Sequence, residues 1–344
     1  MERFERLECR EVPGHYPRAA CFRVIITPML PAAPPAQIQT APQAQRELAF
    51  PGFNQFPLRG TVLPAEGLPW FAVLAADAGP LDRDWVNPML PGSHGGRTLA
   101  EWLQAQGVAS LRFDKRIHGS RDPKLDTSLD AQAGDLFAAL AAARFLPEAR
   151  GRKLLLVGHG EGALLSLMDA RGADAMLLLG MPPMTMAGSI AAQLRPQLPP
   201  DSAGPNLAYL ESVFQAIRDH QPTPAAPPEV FSGIARLGVS LMAPETLGFV
   251  RATLDIDPWA LAARASSPVA LVWGDRDIQA WKPVLIPPSF HGTVLEIPGA
   301  NHLLKRETRS RAELNGVSAL AGYGDEVPLA DLGPVAAWLN GLPK

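Results

Sequence analysis

The polar residues best placed to do chemistry gather around one short stretch. The apolar run Leu154 to Val157 meets Gly158-His159-Gly160-Glu161-Gly162, and a helical pattern begins at once. Strand, very tight turn and helix in direct succession make the element that, in G-x-S-x-G sequences, holds a nucleophile at the apex of the turn. Here the apex is Gly160, and the turn contains no serine, cysteine or threonine. Ser166 lies well over one helical turn further on and cannot stand in. A nucleophile at such an apex works with a histidine base and a carboxylate that orients the histidine. Two downstream stretches offer those groups. Asp275 and Asp277 follow the apolar run Val269–Trp273, and His302 follows the run Thr293–Ile297 in Gly299-Ala300-Asn301-His302. Asp77 ends a further apolar run, Trp70–Ala76, and opens a loop that contains Asp82, Arg83 and Asp84.

These groups sit where strands end, so the elements between them decide whether they can meet. Glu47–Phe50 and Leu58–Leu63 read as short antiparallel strands around Pro51-Gly52. Apolar strands then follow at Trp70–Ala76, Ala109–Phe113, Leu154–Val157, Ala175–Leu179, Val269–Trp273 and Thr293–Ile297. Helical patterns fall between them at Gly95–Gln106, Leu129–Phe145 and after Gly160, with a last helix within Leu329–Leu342. Continuous apolar strands alternating with amphipathic helices predict an α/β fold, a mostly parallel sheet with helices on both faces.

The alternation stops over residues 181–265, which are rich in Pro, Met and Ala. Helix-like pieces at Gly188–Leu194, Leu207–Asp219, Phe231–Met242 and Glu245–Thr253 predict a helical cap over the carboxyl edge of the sheet, where open α/β sheets bind ligands. Met181, Met184, Met186 and Met242 either line that cap with adaptable apolar surface or only pack it onto the body. The expected organisation is an N-terminal extension with a Pro-rich linker at 1–45, a core at 46–180 and 266–344, and the cap at 181–265. Within the extension, Cys21–Thr27 is a candidate strand and Pro28–Pro42 an extended linker.

Three motifs, in order and at the ends of predicted strands, carry a family resemblance. They are Asp77-Ala78-Gly79-Pro80-Leu81-Asp82-Arg83-Asp84, then Arg112-Phe113-Asp114-Lys115-Arg116, then Gly158–Gly162. Over about residues 47–340 the chain resembles the α/β-hydrolase superfamily. More narrowly, it looks like a bacterial esterase/peptidase-like branch marked by G-x-G-P-x-D-R-D, R-[YF]-D-K-R and G-H-S-E-G. The resemblance implies the chain order nucleophile, acid, histidine. It places the nucleophile position at Gly160, the acid at Asp277 with Asp275 as the alternative, and the base at His302. It also implies an oxyanion hole made by the backbone N–H groups of Glu161 and Ala78.

The chain departs from that pattern twice. Gly160 stands where the serine is expected, and Asp77 where glycine is expected. A carboxylate at 77 opposes a developing oxyanion unless it turns away or is protonated. His118, in the loop after Ala109–Phe113, is read as a substrate contact or a solvated loop residue, and Met181 and Met184 as further substrate contacts. Asp82, Arg83, Asp84, Arg112, Asp114, Lys115 and Arg116 are read as ion pairs that hold the loops, and His159 as a packing residue behind the site.

The implied parent activity is hydrolysis of a mid-sized, largely apolar carboxylic ester, and three readings of the chain follow. In the first, an esterase has lost its serine, and Gly160→Ser restores turnover. In the second, different chemistry runs on the His302/Asp277 pair as general base, with Asp77 as an added base or nucleophile. In the third, the chain binds a ligand without catalysis.

The chain's 344 residues suffice for a sizeable core, and a hydrophobic content of 47% is that of a globular protein. A net charge of −3 gives no electrostatic case for nucleic acid or an anionic membrane. No apolar run approaches the roughly 20 residues of a membrane span, and the charged start Met1–Arg10 is not a secretory signal. A cytoplasmic protein acting on a small molecule is therefore expected, with no oligomeric state implied. Cys9 and Cys21 are read as two thiols, or as a disulfide closing a short loop. There is no H-E-x-x-H or C-x-x-C metal spacing and no G-x-G-x-x-G, so neither metal nor dinucleotide cofactor is expected.

Overall fold

Runs of Val, Leu, Phe and Trp without polar alternation form the centre of the molecule. A computed structural model describes residues 44–86, 90–122, 124–168 and 172–343. The candidate strand Cys21–Thr27, the linker Pro28–Pro42, Cys9 and Cys21 lie outside the described residues. The strands are β1 (Arg46–Pro51), β2 (Pro57–Leu63), β3 (Trp70–Ala75), β4 (Ala109–Phe113), β5 (Lys153–His159), β6 (Ala175–Leu179), β7 (Val269–Gly274) and β8 (Thr293–Ile297). β3, β4, β6 and β7 are buried along their whole length, as strands covered on both faces must be. The sheet runs β1-β2-β4-β3-β5-β6-β7-β8. β2 is antiparallel to both neighbours, and every pairing from β4 across to β8 is parallel.

The helices are α1 (Gly95–Ala105), α2 (Leu129–Ala143), α3 (Glu161–Met168), α4 (Met186–Leu194), α5 (Pro200–Arg218), α6 (Ser232–Leu241), α7 (Pro244–Thr253), α8 (Pro258–Ala262), α9 (Gly316–Leu320) and α10 (Gly333–Gly341). Alternate residues of each strand feed two cores. Phe71, Val73 and Ala75 pack with Leu136, Leu140 and Ala163 from α2 and α3. Trp70, Ala72 and Leu74 pack with Leu99, Leu103 and Leu339 from α1 and α10. With helices on both faces and this strand order, the chain has the α/β-hydrolase fold. The carboxyl ends of β3, β5, β7 and β8 open at the sheet edge where open α/β sheets bind ligands.

Five helices lie between β6 and β7. α4 to α7 share a core of their own, built on Tyr209, Leu210, Val213, Phe214 and Ile217. α8 differs: Trp259 and Ala262 belong to the body, where the Trp259 ring lies 6.2 Å from Trp273 and 5.8 Å from Phe290. α4 to α7 thus share a core that α8 does not join. Among the described residues, four α-helices start on prolines. α5, α7, α8 and α10 each begin with a proline at the first or second position, where its missing N–H is no loss. This is why α5 begins at Pro200 and not at Leu207. The connection around Pro51-Gly52 is also longer than a tight turn, because Phe53–Gln55 forms a 3-10 turn with Asn54 and Gln55 at positive φ. Among the described residues, no helix is long and apolar enough to cross a membrane.

One buried ion pair ties the loop after β4 to the body. Arg116 donates from Nε and Nη2 to the two carboxylate oxygens of Asp135 on α2, both at 2.6 Å. Asp135 Oδ1 also accepts the Phe53 N–H at 2.9 Å. Both side chains are almost fully buried. Removing one partner of such a pair strands a buried charge, at a cost of about 3–5 kcal/mol. Arg116→Met is expected to lower the unfolding free energy by about 3 kcal/mol in a urea titration. A loss below about 1 kcal/mol would show that the pair does not anchor the loop.

Candidate active site

β5 ends at His159 and α3 begins at Glu161, so Gly160 alone makes the turn between them, at a φ of +53°. Glycine takes this left-handed conformation without strain. Gly162 is required for a second reason: a Cβ there would strike the carbonyls of Ala75 and Ala76, where α3 passes the end of β3. The apex has no room for a side chain either, since a Cβ on Gly160 would run into the Asp77 carboxylate.

That carboxylate is the centre of the arrangement. Asp77 follows β3 and turns inward over Gly160. Its Oδ1 accepts the Glu161 N–H at 2.8 Å, and its Oδ2 lies 3.0 Å from His302 Nε2. Lys115 Nζ donates to the Asp77 carbonyl at 2.8 Å and to Glu161 Oε1 at 2.7 Å, clamping the loop after β3 to the first turn of α3. On the far side of the imidazole, His302 Nδ1 is 2.7 Å from Asp277 Oδ2. Asp277 Oδ1 accepts the N–H groups of Gln279 and Ala280, at 2.7 and 3.0 Å. Asp275 faces elsewhere and accepts the Gly299 N–H. The two loops after β7 and β8 thus bring together Asp277 and His302, and the loop after β3 adds Asp77.

The His302 loop is braced by buried polar groups. Asn301 Oδ1 accepts the N–H groups of Leu303 and Lys305, and its Nδ2 donates to the Gly322 carbonyl. Lys305, fully buried, donates from Nζ to the carbonyls of Tyr323 and Gly324. His159 lies behind His302. Its Nε2 donates to the His302 carbonyl at 2.8 Å, and its ring stacks on Trp85 at 5.1 Å.

Charge and burial compete at each group. Burial alone would lower the pKa of His302, but the charge and hydrogen bond of Asp277, joined by those of Asp77, raise it to about 10. Burial alone would raise Asp77, yet the His302 hydrogen bond, the charges of His159 and His302 and the Glu161 N–H hold it well below the carboxylate range. Burial dominates at His159 and lowers its pKa. His302 stands between the Asp277 and Asp77 carboxyl groups, and both favour its proton.

Several expected roles change with these positions. Glu161 N–H, one expected oxyanion donor, is already taken by Asp77. Ala78, the other, is exposed, and among the described residues its N–H has no partner. Met181 is 0% exposed and its carbonyl accepts the Trp273 indole N–H, so it packs the core instead of contacting substrate. Met184 is half-buried against Gly188. Met242 is buried in the core shared by α4 to α7, and Met186 packs against it. His118 is exposed and turned toward the Pro80 carbonyl, away from the Asp77–His302 pair. Arg83 pairs with Asp114 and Glu47, and Arg112 with Asp84, as loop scaffolding. Trp85, at a φ of +63°, was not singled out in the sequence; its place one residue after Asp82-Arg83-Asp84 was the available signal.

Two predictions follow from the crowding and the charge. Gly160→Ser is expected to destabilise the fold by about 1–3 kcal/mol and to gain no serine chemistry, because strain at positive φ adds to the clash with Asp77. Asp77→Gly in the same chain should recover part of that loss, seen as a favourable coupling in a double-mutant cycle of thermal midpoints. Additive single effects would show that the two positions do not share one space. The His302 proton is held more tightly folded than unfolded. Its stabilisation is therefore complete below about pH 6.5 and lost as pH rises toward about 10. Urea midpoints should fall between about pH 6 and about pH 9.5, less steeply in Asp77→Asn, and equal slopes in the two proteins would contradict this account.

The sequence matches no family model and none of the curated proteins. Among solved structures it is similar to a proline iminopeptidase from Mycobacterium smegmatis, at 15% identity over 86% of this chain and 98% of that one, with a TM-score of 0.48. It is also similar to an α/β hydrolase from Penicillium sp. sh18, at 15% identity over 76% and 92% of the two chains with a TM-score of 0.45. An esterase from Pyrococcus furiosus matches at 15% identity over 75% and 82%, with a TM-score of 0.46. Likenesses this distant lend no residue of this chain a role.

Proposed function

We propose that this chain hydrolyses a small, largely apolar ester-like substrate by direct attack of water, without an acyl-enzyme. The observation that supports this is the position of Asp77. Its carboxylate fills the space over Gly160 that a nucleophile's side chain would need, and it is bonded to His302 on one side and Glu161 N–H on the other. In this reading Asp77 takes the proton from a water attacking the carbonyl. His302, held by Asp277, gives its proton to the leaving alcohol. The exposed Ala78 N–H meets the developing oxyanion, because Glu161 N–H is occupied. The helices α4 to α7 act as a cap that selects the acyl and alcohol groups. Gln193 on α4 supports that placement, since its Nε2 donates at 2.6 Å to the Gln279 carbonyl, beside Asp277.

A second reading draws on the same crowding. A carboxylate held by several partners is a stable plug, and the chain is then a disabled esterase that binds ligand. Assays with short p-nitrophenyl esters separate the two. The unsubstituted chain is expected to turn over, and Asp77→Asn and His302→Ala each to lower kcat by about 10²–10⁴-fold. An inactive unsubstituted chain, or full activity in Asp77→Asn, overturns the proposal.

A further inference from the structure

His159 carries a feature that the acid–base array does not use. Its Nε2 donates to the His302 carbonyl, which leaves Nδ1 as the ring nitrogen free to take a ligand. That Nδ1 is buried, and it makes no hydrogen bond. The residue is 1% exposed, and stacking on Trp85 restricts the ring. Nδ1 nevertheless points at another electron-rich atom, Asp77 Oδ2, 3.9 Å away. A carboxylate oxygen and an unpartnered imidazole nitrogen facing each other make a donor set that a cation can bridge.

His302 Nε2 faces the same oxygen at 3.0 Å, and an ion bound there would displace the Nε2 proton to solvent. One ligand atom from each of Asp77, His159 and His302 lies within 4.8 Å of the other two. Ligand atoms at about 2.0–2.2 Å from one tetrahedral ion stand roughly 3.3–3.6 Å apart, so small side-chain adjustments close the set. Each candidate ligand is also held from behind in the way metal ligands are held. Asp277 orients His302 through Nδ1, the His302 carbonyl orients His159 through Nε2, and Glu161 N–H orients Asp77 through Oδ1.

We infer that Asp77, His159 and His302 form a three-ligand site for a divalent transition-metal ion of the zinc class. Two imidazole nitrogens and one carboxylate suit that class, and three protein ligands leave a coordination position free for water or substrate. The Asp77 side chain is 24% exposed, so the free position has an open side. The inference rests on the proposed function only for its catalytic meaning: a bound ion would take over from Asp77 the activation of the attacking water. The ligands come from the end of one strand and from two loops, far apart in the chain, which is why no local spacing reveals them.

The test is binding of Zn²⁺ alone to metal-stripped full-length protein by titration calorimetry, with the visible spectrum of Co²⁺ as a report on coordination. One ion per chain is expected, with tetrahedral Co²⁺ bands. His159→Phe keeps a ring against Trp85 but removes the ligand, and should weaken binding at least about 100-fold. Asp77→Asn should do the same, and Asp277→Asn, which loosens a ligand from behind, should weaken it about 10–100-fold. Thermal unfolding of each stripped variant checks that it is folded. No binding to the unsubstituted protein, or binding unchanged in both folded ligand variants, overturns the inference. Ester turnover dependent on Asp77 without zinc binding leaves the proposed function standing alone. Zinc bound through these residues without turnover of any ester leaves the metal site standing alone.

Discussion

The Asp77 carboxylate and the apex of the turn at Gly160 compete for one volume, and the carboxylate holds it. The rest of the site follows from that occupancy. A residue with a Cβ at 160 and an inward aspartate at 77 exclude each other, so the glycine at 160 and the acid at 77 are two sides of one condition. With the space filled, the N–H at the head of α3 bonds to protein, and the imidazole of His302 sits between two carboxylates. A glycine at the turn by itself predicts none of this. A glycine in the turn beside a glycine at 77 would leave that volume empty, with His302 facing a single carboxylate.

The occupancy holds because the loops that deliver the three groups are braced independently. Lys115 joins the loop after β3 to α3, Arg83 joins it to Asp114 after β4, and Arg116 fixes that second loop to α2. Asn301 and buried Lys305 set the loop after β8. Each brace is a polar group satisfied within the protein. Such networks make one geometry much cheaper than its neighbours, because moving any member strands another. The unpaired Nδ1 of His159 stands out against that background. It is the one ring nitrogen beside Asp77 that the surrounding network leaves without a partner.

The sequence by itself determined the sheet, its order of construction and the places where chemistry gathers. Apolar runs of five to seven residues between helical patterns have one stable packing, a parallel sheet covered on both faces, and polar residues just after such runs must appear at its carboxyl edge. Those local rules also put Gly160, Asp277 and His302 just after strands, where the structure has them. They failed where the outcome depended on the direction of a side chain. Met181 and His118 follow strands as the site residues do, but one drops into the core and the other faces Pro80. The start of α5 was hidden because Pro-rich sequence is compatible with both a linker and a helix start.

Only the tertiary structure decided which aspartate meets His302, where Asp77 points, and that His159 shares its oxygen. Asp275 and Asp277 are two positions apart in the same loop, and their partners after β8 distinguish them, the Gly299 N–H for one and the His302 imidazole for the other. The direction of Asp77 depends on a glycine far along the chain and on a lysine in a different loop. Residue type and spacing encode which face of an element is apolar. The meeting of side chains from three strand ends is set by packing distances that no one of those stretches contains.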